Sequence, residues 1–78
     1  MVKIAGFNHL SGTYEGHEYD NYMFVCYDKE ANEKNKWSFE KVKAKILRDA
    51  NLEAKDLINK NIEFSYDRYG VVRAIYIV

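Results

Sequence analysis

The pattern of hydrophobic and polar residues along this chain predicts β-strands. Residues 62–67 alternate between apolar and polar, which is the pattern of a half-buried strand, whereas residues 18–27 and 71–78 are apolar on both faces. With a first strand at about residues 2–7, the sequence predicts four strands. A turn that contains glycine precedes the second strand, and another precedes the fourth. Tyr14-Glu15-Gly16-His17 is typical of a hairpin tip, and Asp67-Arg68-Tyr69-Gly70 is a turn in which Gly70 can supply a positive φ.

The second predicted strand is apolar on both faces. A half-buried strand is normally polar on one face, because successive side chains point to opposite sides. Here one parity holds Tyr19, Met23, Val25 and Tyr27, and the other holds Tyr22, Phe24 and Cys26. Either protein covers both faces, or one aromatic face is a platform on which a planar group stacks.

Residues 37–50 fit two periods. As a helix, the segment would have Ser38 as its N-cap and a strip of apolar residues at helical spacing. As a strand, it would carry a row of aromatic and basic side chains on one face, formed by Trp37, Phe39, Lys41, Lys43 and Lys45. The helix predicts an α+β fold of order ββαββ, similar to β-grasp modules. The strand predicts the order β-β-β-α-β-β of an OB-fold barrel, with a short helix at about residues 52–59.

Composition bounds the possible functions. A chain of 78 residues predicts one domain, residues 1–78, with a small core that oligomerisation would help to stabilise. One cysteine allows no internal disulfide, and no apolar run is long enough for a membrane span or a signal peptide, so we expect a cytoplasmic protein. The net charge is zero, but residues 29–48 hold seven basic and three acidic residues, a balance of +4. This segment predicts a local basic stripe.

Catalytic and metal-binding patterns are missing from the sequence. The two histidines, His9 and His17, have no nucleophile at a recognisable spacing, and no pair of cysteines or histidines has zinc spacing. The four glycines are too dispersed for a phosphate-binding loop. We therefore expect neither enzymatic activity nor a cofactor.

Short motifs in the first half of the chain resemble a known family. Ser11-Gly12, then Gly16-His17-Glu18-Tyr19, then Cys26-Tyr27 are similar to a hairpin of the filamentous-phage single-stranded DNA-binding proteins, which are small dimeric OB-fold proteins. Residues 64–70 are also similar to small proteins of phages and plasmids of Gram-positive bacteria. The loop departs from that family, since it carries Glu15 and Glu18 where the family is basic.

The resemblance favours the strand interpretation of residues 37–50. It therefore implies an all-β fold with one short helix, a five-stranded OB-like barrel. It also implies a homodimer that binds single-stranded DNA without sequence preference, in phage or plasmid replication inside a bacterial host cell. Bases would stack on aromatic rings and lysines would follow the phosphates. The residues implied are Tyr14, Tyr19, Lys36, Trp37, Lys41, Lys43, Lys45, Arg68 and Tyr69.

A protein-binding module, for instance a phage-encoded inhibitor of a host enzyme, is the alternative function. Neutral charge and abundant tyrosine suit a protein interface as well as a nucleic-acid groove. The two functions predict different surfaces. A DNA-binding protein should carry Tyr14, Tyr19, Tyr69 and the odd-numbered lysines on one surface, whereas a protein-binding module should show an aromatic patch with acidic borders.

Overall fold

Five strands and one α-helix account for most of the regular structure of residues 2–78, the part of the chain that the computed structural model describes. The strands are β1 (Val2–Tyr14), β2 (His17–Tyr27), β3 (Trp37–Lys43), β4 (Asn61–Tyr66) and β5 (Val72–Ile77), and the helix is α1 (Ala44–Asp49). Short 3-10 helices lie in two connections, at Glu33–Asn35 and Ala54–Leu57.

The strands form one antiparallel sheet in the order β3-β2-β1-β4-β5. The β1–β2 hairpin closes with a two-residue turn in which Glu15 has a φ of 50° and Gly16 a φ of 79°. Two positive φ values give the type I′ turn, whose twist matches that of the flanking strands. Gly70, in the turn between β4 and β5, also has a positive φ of 79°, as predicted.

The β1–β2 hairpin extends well beyond the rest of the sheet. β4 pairs only with Val2 and Lys3 at the start of β1, whereas β1 and β2 stay paired as far as Tyr14 and His17. Residues 8–20 are consequently all exposed, and the molecule measures 41 × 26 × 24 Å along its principal axes. The hairpin is an arm attached to a small core.

A β-bulge at Ala5 decides which residues of β1 face the core. Ile4 pairs with Cys26 and Gly6 pairs with Val25, so Ala5 is an extra residue in β1. Ile4 and Phe7 lie three positions apart, a spacing that would put them on opposite faces of a regular strand. With the bulge both face the core: Ile4 is fully buried, and Phe7 is partly buried and packs against the core cluster.

The core lies between the inner side of this sheet and the helical segment after β3. Its fully buried side chains include Ile4, Phe24 and Val42 from neighbouring strands and Leu57 from the second 3-10 helix. Helix α1 contributes Ala44 and Leu47, which are spaced for one helical face and are both buried. Asn51, with a φ of 58°, adopts the left-handed conformation that often follows a helix end.

The structure confirms the predicted all-β class with one short helix and the order β-β-β-α-β-β. The ββαββ alternative is wrong, because Trp37–Lys43 pairs with β2 as a strand. β3 and β5 are the two ends of the sheet, and their Cα atoms come within 8 Å of one another. No hydrogen-bonded ladder joins these two strands in the described chain, so the closed barrel stays a prediction.

Three boundaries differ from the predicted ones. The first strand does not end at about residue 7 but continues to Tyr14, because pairing with β2 holds a stretch that has little strand propensity of its own. The third strand stops at Lys43, where the chain turns into α1 to bury Ala44 and Leu47. The helix predicted at about residues 52–59 is a single 3-10 turn, Ala54–Leu57.

Among the residues described, no helix has both the length and the apolar character needed to cross a lipid bilayer.

Candidate nucleic-acid interface

Strands β1, β2 and β3 present one continuous solvent-facing surface. Residues paired across an antiparallel ladder point to the same side, so the register of β1, β2 and β3 identifies every side chain on the side away from the core. We call this surface the outer face. It comprises Lys3, Gly6, Asn8, Leu10, Gly12 and Tyr14 of β1, His17, Tyr19, Asn21, Met23, Val25 and Tyr27 of β2, and Trp37, Phe39, Lys41 and Lys43 of β3.

Aromatic side chains are concentrated at one end of the outer face. Trp37 pairs with Tyr27, and their ring centroids are 4.9 Å apart. Phe39, one step further along the same face, pairs with Val25. Trp37 is 59% exposed and Phe39 is 69% exposed, so large apolar rings lie open to solvent instead of joining the core. Exposed rings of this kind offer flat surfaces for stacking.

Lysines follow the rings along β3. Lys41 pairs with Met23 and Lys43 pairs with Asn21, and both lysines are exposed. Lys3 lies beside Tyr27 on the other side of β2. The outer face therefore combines aromatic rings with three cations.

No acidic residue occupies a strand position of the outer face, although Asp28 and Glu30, in the loop after β2, line a cavity with Lys3 and Tyr27 at its border. The three acidic residues in the bodies of β1, β2 and β3 are Glu18, Asp20 and Glu40, and the register places all of them on the inner side of the sheet. The nearest acidic residue on the hairpin is Glu15, in the tip turn. A chain of zero net charge thus has one face whose strand positions carry only positive charge.

Tyr19 and Tyr14 extend this face along the hairpin. Tyr19 pairs with Gly12, is 43% exposed, and its ring lies so close to Gly12 that a Cβ atom there would come 2.9 Å from the Tyr19 hydroxyl oxygen. Tyr14 is the last residue of β1 and is largely exposed. Both tyrosines are therefore available to a partner.

Polar contacts on the inner side attach the hairpin to α1. The Nε2 atom of His9 lies 2.5 Å from Oδ1 of Asp20, and Nη1 of Arg48 donates to Oδ2 of Asp20 over 3.4 Å. The His9 ring also stacks on Tyr22, with centroids 4.5 Å apart. The bond from His9, followed by the charges of His9 and Arg48, holds the pKa of Asp20 below its ordinary value of 3.8.

The inner side also contains the only cysteine of the sequence. Cys26 is fully buried, and burial, with the charge of Glu40 added, raises the pKa of its thiol to about 11. Burial and the neighbouring Glu40 carboxylate raise the pKa of Tyr66 to about 12. The thiol therefore stays protonated at neutral pH, and Cys26 serves to fill the core.

Five of the nine predicted site residues lie on the outer face: Tyr14, Tyr19, Trp37, Lys41 and Lys43. Lys36 lies immediately before β3, with its Nζ atom 3.5 Å from Oε1 of Glu33, so it borders the face.

Lys45 does not share the face of Lys41 and Lys43, contrary to the prediction. The strand ends at Lys43, and Lys45 lies in α1, where its Nζ atom bonds Asp49 over 2.9 Å. The alternation from Lys41 to Ile46 continues in the sequence past the point where the strand stops.

Arg68 and Tyr69 lie in the turn between β4 and β5, away from the hairpin tip. β4 pairs with the start of β1 and runs away from Tyr14, so this turn and Tyr14 are at opposite ends of the sheet. The Arg68 guanidinium lies 5.0 Å from the Tyr69 ring centroid. Tyr69 is therefore distant from Tyr14 along the sheet, and the single surface that the DNA-binding interpretation predicts for both stays a prediction.

The predicted site omits three residues of the outer face that carry a large aromatic ring or a lysine: Phe39, Tyr27 and Lys3. The alternation of β3 already puts Phe39 on the face of Trp37, so the sequence contains enough information to include it. The parity of β2 likewise puts Tyr27 on the face of Tyr19. Lys3 joins the face only through the pairing of β1 with β2, which no local pattern reveals.

Within residues 2–78, no group of three or more His, Cys, Asp or Glu side chains is arranged to hold a metal ion. The chain matches no protein-family model, no curated protein and no solved structure. Function therefore has to be inferred from the outer face itself.

Proposed function

We propose that this protein binds single-stranded nucleic acid through the outer face, without reading its sequence. The observation that carries the proposal is the composition of that face: exposed aromatic rings and lysines on the three strands, with every acidic side chain of the same strands on the opposite side. Rings that stack with bases and cations that neutralise phosphates are the two components of sequence-tolerant single-strand binding.

The arrangement assigns a role to each group. Trp37 and Phe39 stack with bases at one end of the face, and Tyr19 does so on the hairpin. Lys41 and Lys43 lie between these rings and contact phosphates. Each stacked base contributes roughly 1–3 kcal/mol, and any base has a planar surface to offer. A duplex hides its base planes, so single strands are preferred.

Charge limits the affinity. Counterion release provides much of the binding free energy to nucleic acids, and each phosphate neutralised on a single strand contributes about −0.7 to the slope of log K against log salt. With three lysines on the outer face, Lys3, Lys41 and Lys43, we expect a slope of about −2. Binding is therefore moderate, and stacking carries a large share of it.

The protein-binding alternative predicts an aromatic patch with acidic borders. The aromatic end of the outer face does have acidic neighbours, because Asp28 and Glu30 line one cavity with Lys3 and Tyr27. The nucleic-acid proposal accounts better for the strand positions of the face, where the acidic residues are absent and lysines are present. The proposal also includes the homodimer, the replication role and the bacterial host cytoplasm that the family resemblance implies. Sedimentation of the purified protein tests the dimer directly.

A titration with oligo-dT at two or more salt concentrations tests the function. Trp37 is the only tryptophan in the chain, so its fluorescence reports on the outer face. We expect quenching on binding and weaker binding at higher salt. Absence of binding at low salt would refute the proposal.

Two lysine variants locate the interface. Lys43→Gln should reduce the salt slope by about 0.7, because one phosphate contact is lost. Lys45→Gln is the matched control: it removes the same charge two residues away, on α1, and should leave the slope unchanged. Equal effects of the two variants would indicate that net charge, not the outer face, governs binding.

A further inference from the structure

Gly12 lies where a glycine is otherwise unfavourable. It is in the interior of β1, where glycine costs stability through its extra freedom in the unfolded chain and packs no side chain. Its φ does not fall in the left-handed region that requires glycine, unlike those of Gly16 and Gly70. Backbone conformation therefore does not explain its presence.

Space explains it. A Cβ atom built on Gly12 would come 2.9 Å from the hydroxyl oxygen of Tyr19 and 3.1 Å from its Cζ atom. The first separation is shorter than real Cβ contacts allow, so a larger residue at position 12 must displace the end of the tyrosine ring. Gly12 and Tyr19 are cross-strand partners, so this contact follows from the register.

We propose that Gly12 is a positioning residue, which lets the Tyr19 ring rest against the sheet as a stacking surface for one unpaired base. This inference depends on the proposed function. The ring end lies over Gly12, while 43% of Tyr19 remains accessible to a partner. Lys43 pairs with Asn21, two residues from Tyr19 on β2, so its Cβ lies roughly 7–8 Å from that of Tyr19, diagonally across the ladder. A base on the ring therefore has a cation nearby for its phosphate.

A graded series at position 12 tests the inference by the affinity for fluorescein-labelled oligo-dT, measured by anisotropy. We expect Gly12→Ala to weaken binding and Gly12→Val to weaken it further, because the larger side chain displaces the ring more. Loss of the whole ring in Tyr19→Ala sets the limit, about 5- to 150-fold.

Ser11→Val is the matched control. Ser11 is the neighbour of Gly12 in β1, but it pairs with Asp20 on the inner side of the sheet and is exposed. The variant adds bulk to the same part of the strand and should bind oligo-dT like the wild type. An equal loss of affinity in Ser11→Val and Gly12→Val would mean that any larger residue in this part of β1 disturbs the face, and would overturn the positioning role.

Double variants distinguish positioning from a general structural effect. In the Tyr19→Ala background, Gly12→Ala should cause no further loss of affinity and should raise the melting temperature, since the steric conflict is gone and alanine suits a strand better than glycine. Tyr19→Phe removes the hydroxyl oxygen, the atom that a Cβ at position 12 would approach most closely. In that background, Gly12→Ala should therefore cause a smaller loss of affinity than it does in the wild type.

The results separate the two proposals. If the wild type does not bind oligo-dT, the proposed function fails. If the wild type binds and Lys43→Gln weakens binding, while Gly12→Ala and Gly12→Val bind as the wild type does, only the positioning role fails. The positioning role also fails if Gly12→Ala costs as much affinity in the Tyr19→Ala background as in the wild type.

Discussion

The two faces of strands β1 to β3 are made from the same short stretch of sequence, yet their compositions are opposite. The inner face buries Phe24, Cys26 and Val42 and carries all the acidic residues of these strands. The outer face exposes Trp37 and Phe39 and carries only basic charge. Alternation along a strand thus separates the residues that hold the fold from those available for binding.

The separation means that stability and binding should respond to different substitutions. An exposed aromatic ring contributes little to the free energy of folding, because it stays in contact with water. A buried ring contributes much to that free energy, and it cannot contact a binding partner. Pairs of variants, one on each face, make this comparison testable.

The largest expected effect is on the inner face. Phe24 is the largest fully buried side chain, and Phe24→Ala should lower the free energy of unfolding by about 3–5 kcal/mol. Phe39→Ala removes the same side chain from the outer face and should change stability by no more than about 0.5 kcal/mol. Urea denaturation followed by circular dichroism measures both. Similar losses in the two variants would show that the outer ring belongs to the core.

Binding affinity should depend on the outer face and not on the inner one. Trp37→Ala should weaken oligo-dT binding by roughly 1–3 kcal/mol while leaving the urea midpoint nearly unchanged. Tyr69→Ala is the control, because Tyr69 is an even more exposed aromatic residue that lies outside the outer face. Anisotropy with a labelled oligonucleotide measures both affinities. If Tyr69→Ala costs as much as Trp37→Ala, the interface extends to the β4–β5 turn, as the family resemblance implied.

The smallest effect concerns acid stability at the inner side of the hairpin. The pKa of Asp20 is lower in the folded state than its ordinary value of 3.8, so the unfolded chain binds protons more readily in that range. Its stabilising contribution is complete above the ordinary pKa and is lost as the pH falls through the lower folded value. The melting temperature should therefore fall less steeply between pH 5 and pH 2 in Asp20→Asn than in the wild type. Parallel curves would show that the His9 and Arg48 contacts have no energetic role.

Local patterns predicted much of this molecule. Alternation identified β4, apolar runs with residues on both faces identified β2 and β5, and turn chemistry located the hairpin tip and Gly70. The same alternation in β3 anticipated that Trp37, Lys41 and Lys43 share a face. These features depend on residues close together in the sequence, so period and turn propensity were sufficient to find them.

The remainder depends on long-range contacts. Residues such as Ser11 and Gly12 favour turns, and they lie in a strand because β2 pairs with them. The end of β3 is set by the burial of Ala44 and Leu47 in a core that no short window contains. Lys45 was misplaced for that reason. The absence of acidic residues from the strand positions of the outer face could be recognised only from the pairing of β1 with β2 and of β2 with β3.

The bulge at Ala5 makes the outer face depend on how one extra residue is accommodated, as well as on residue type. Upstream of it Lys3 points outward, and downstream the even-numbered residues do, including Leu10, Gly12 and Tyr14. If Ala5 instead took a regular position opposite Val25, the far half of β1 would turn over and Gly12 would no longer pair with Tyr19. Removal of Ala5 would leave a regular strand with the present pairs, because Gly6 would then follow Ile4 directly. In the evolution or redesign of this arm, the bulged residue can be lost without changing either face, whereas a residue added elsewhere in β1 requires a second bulge.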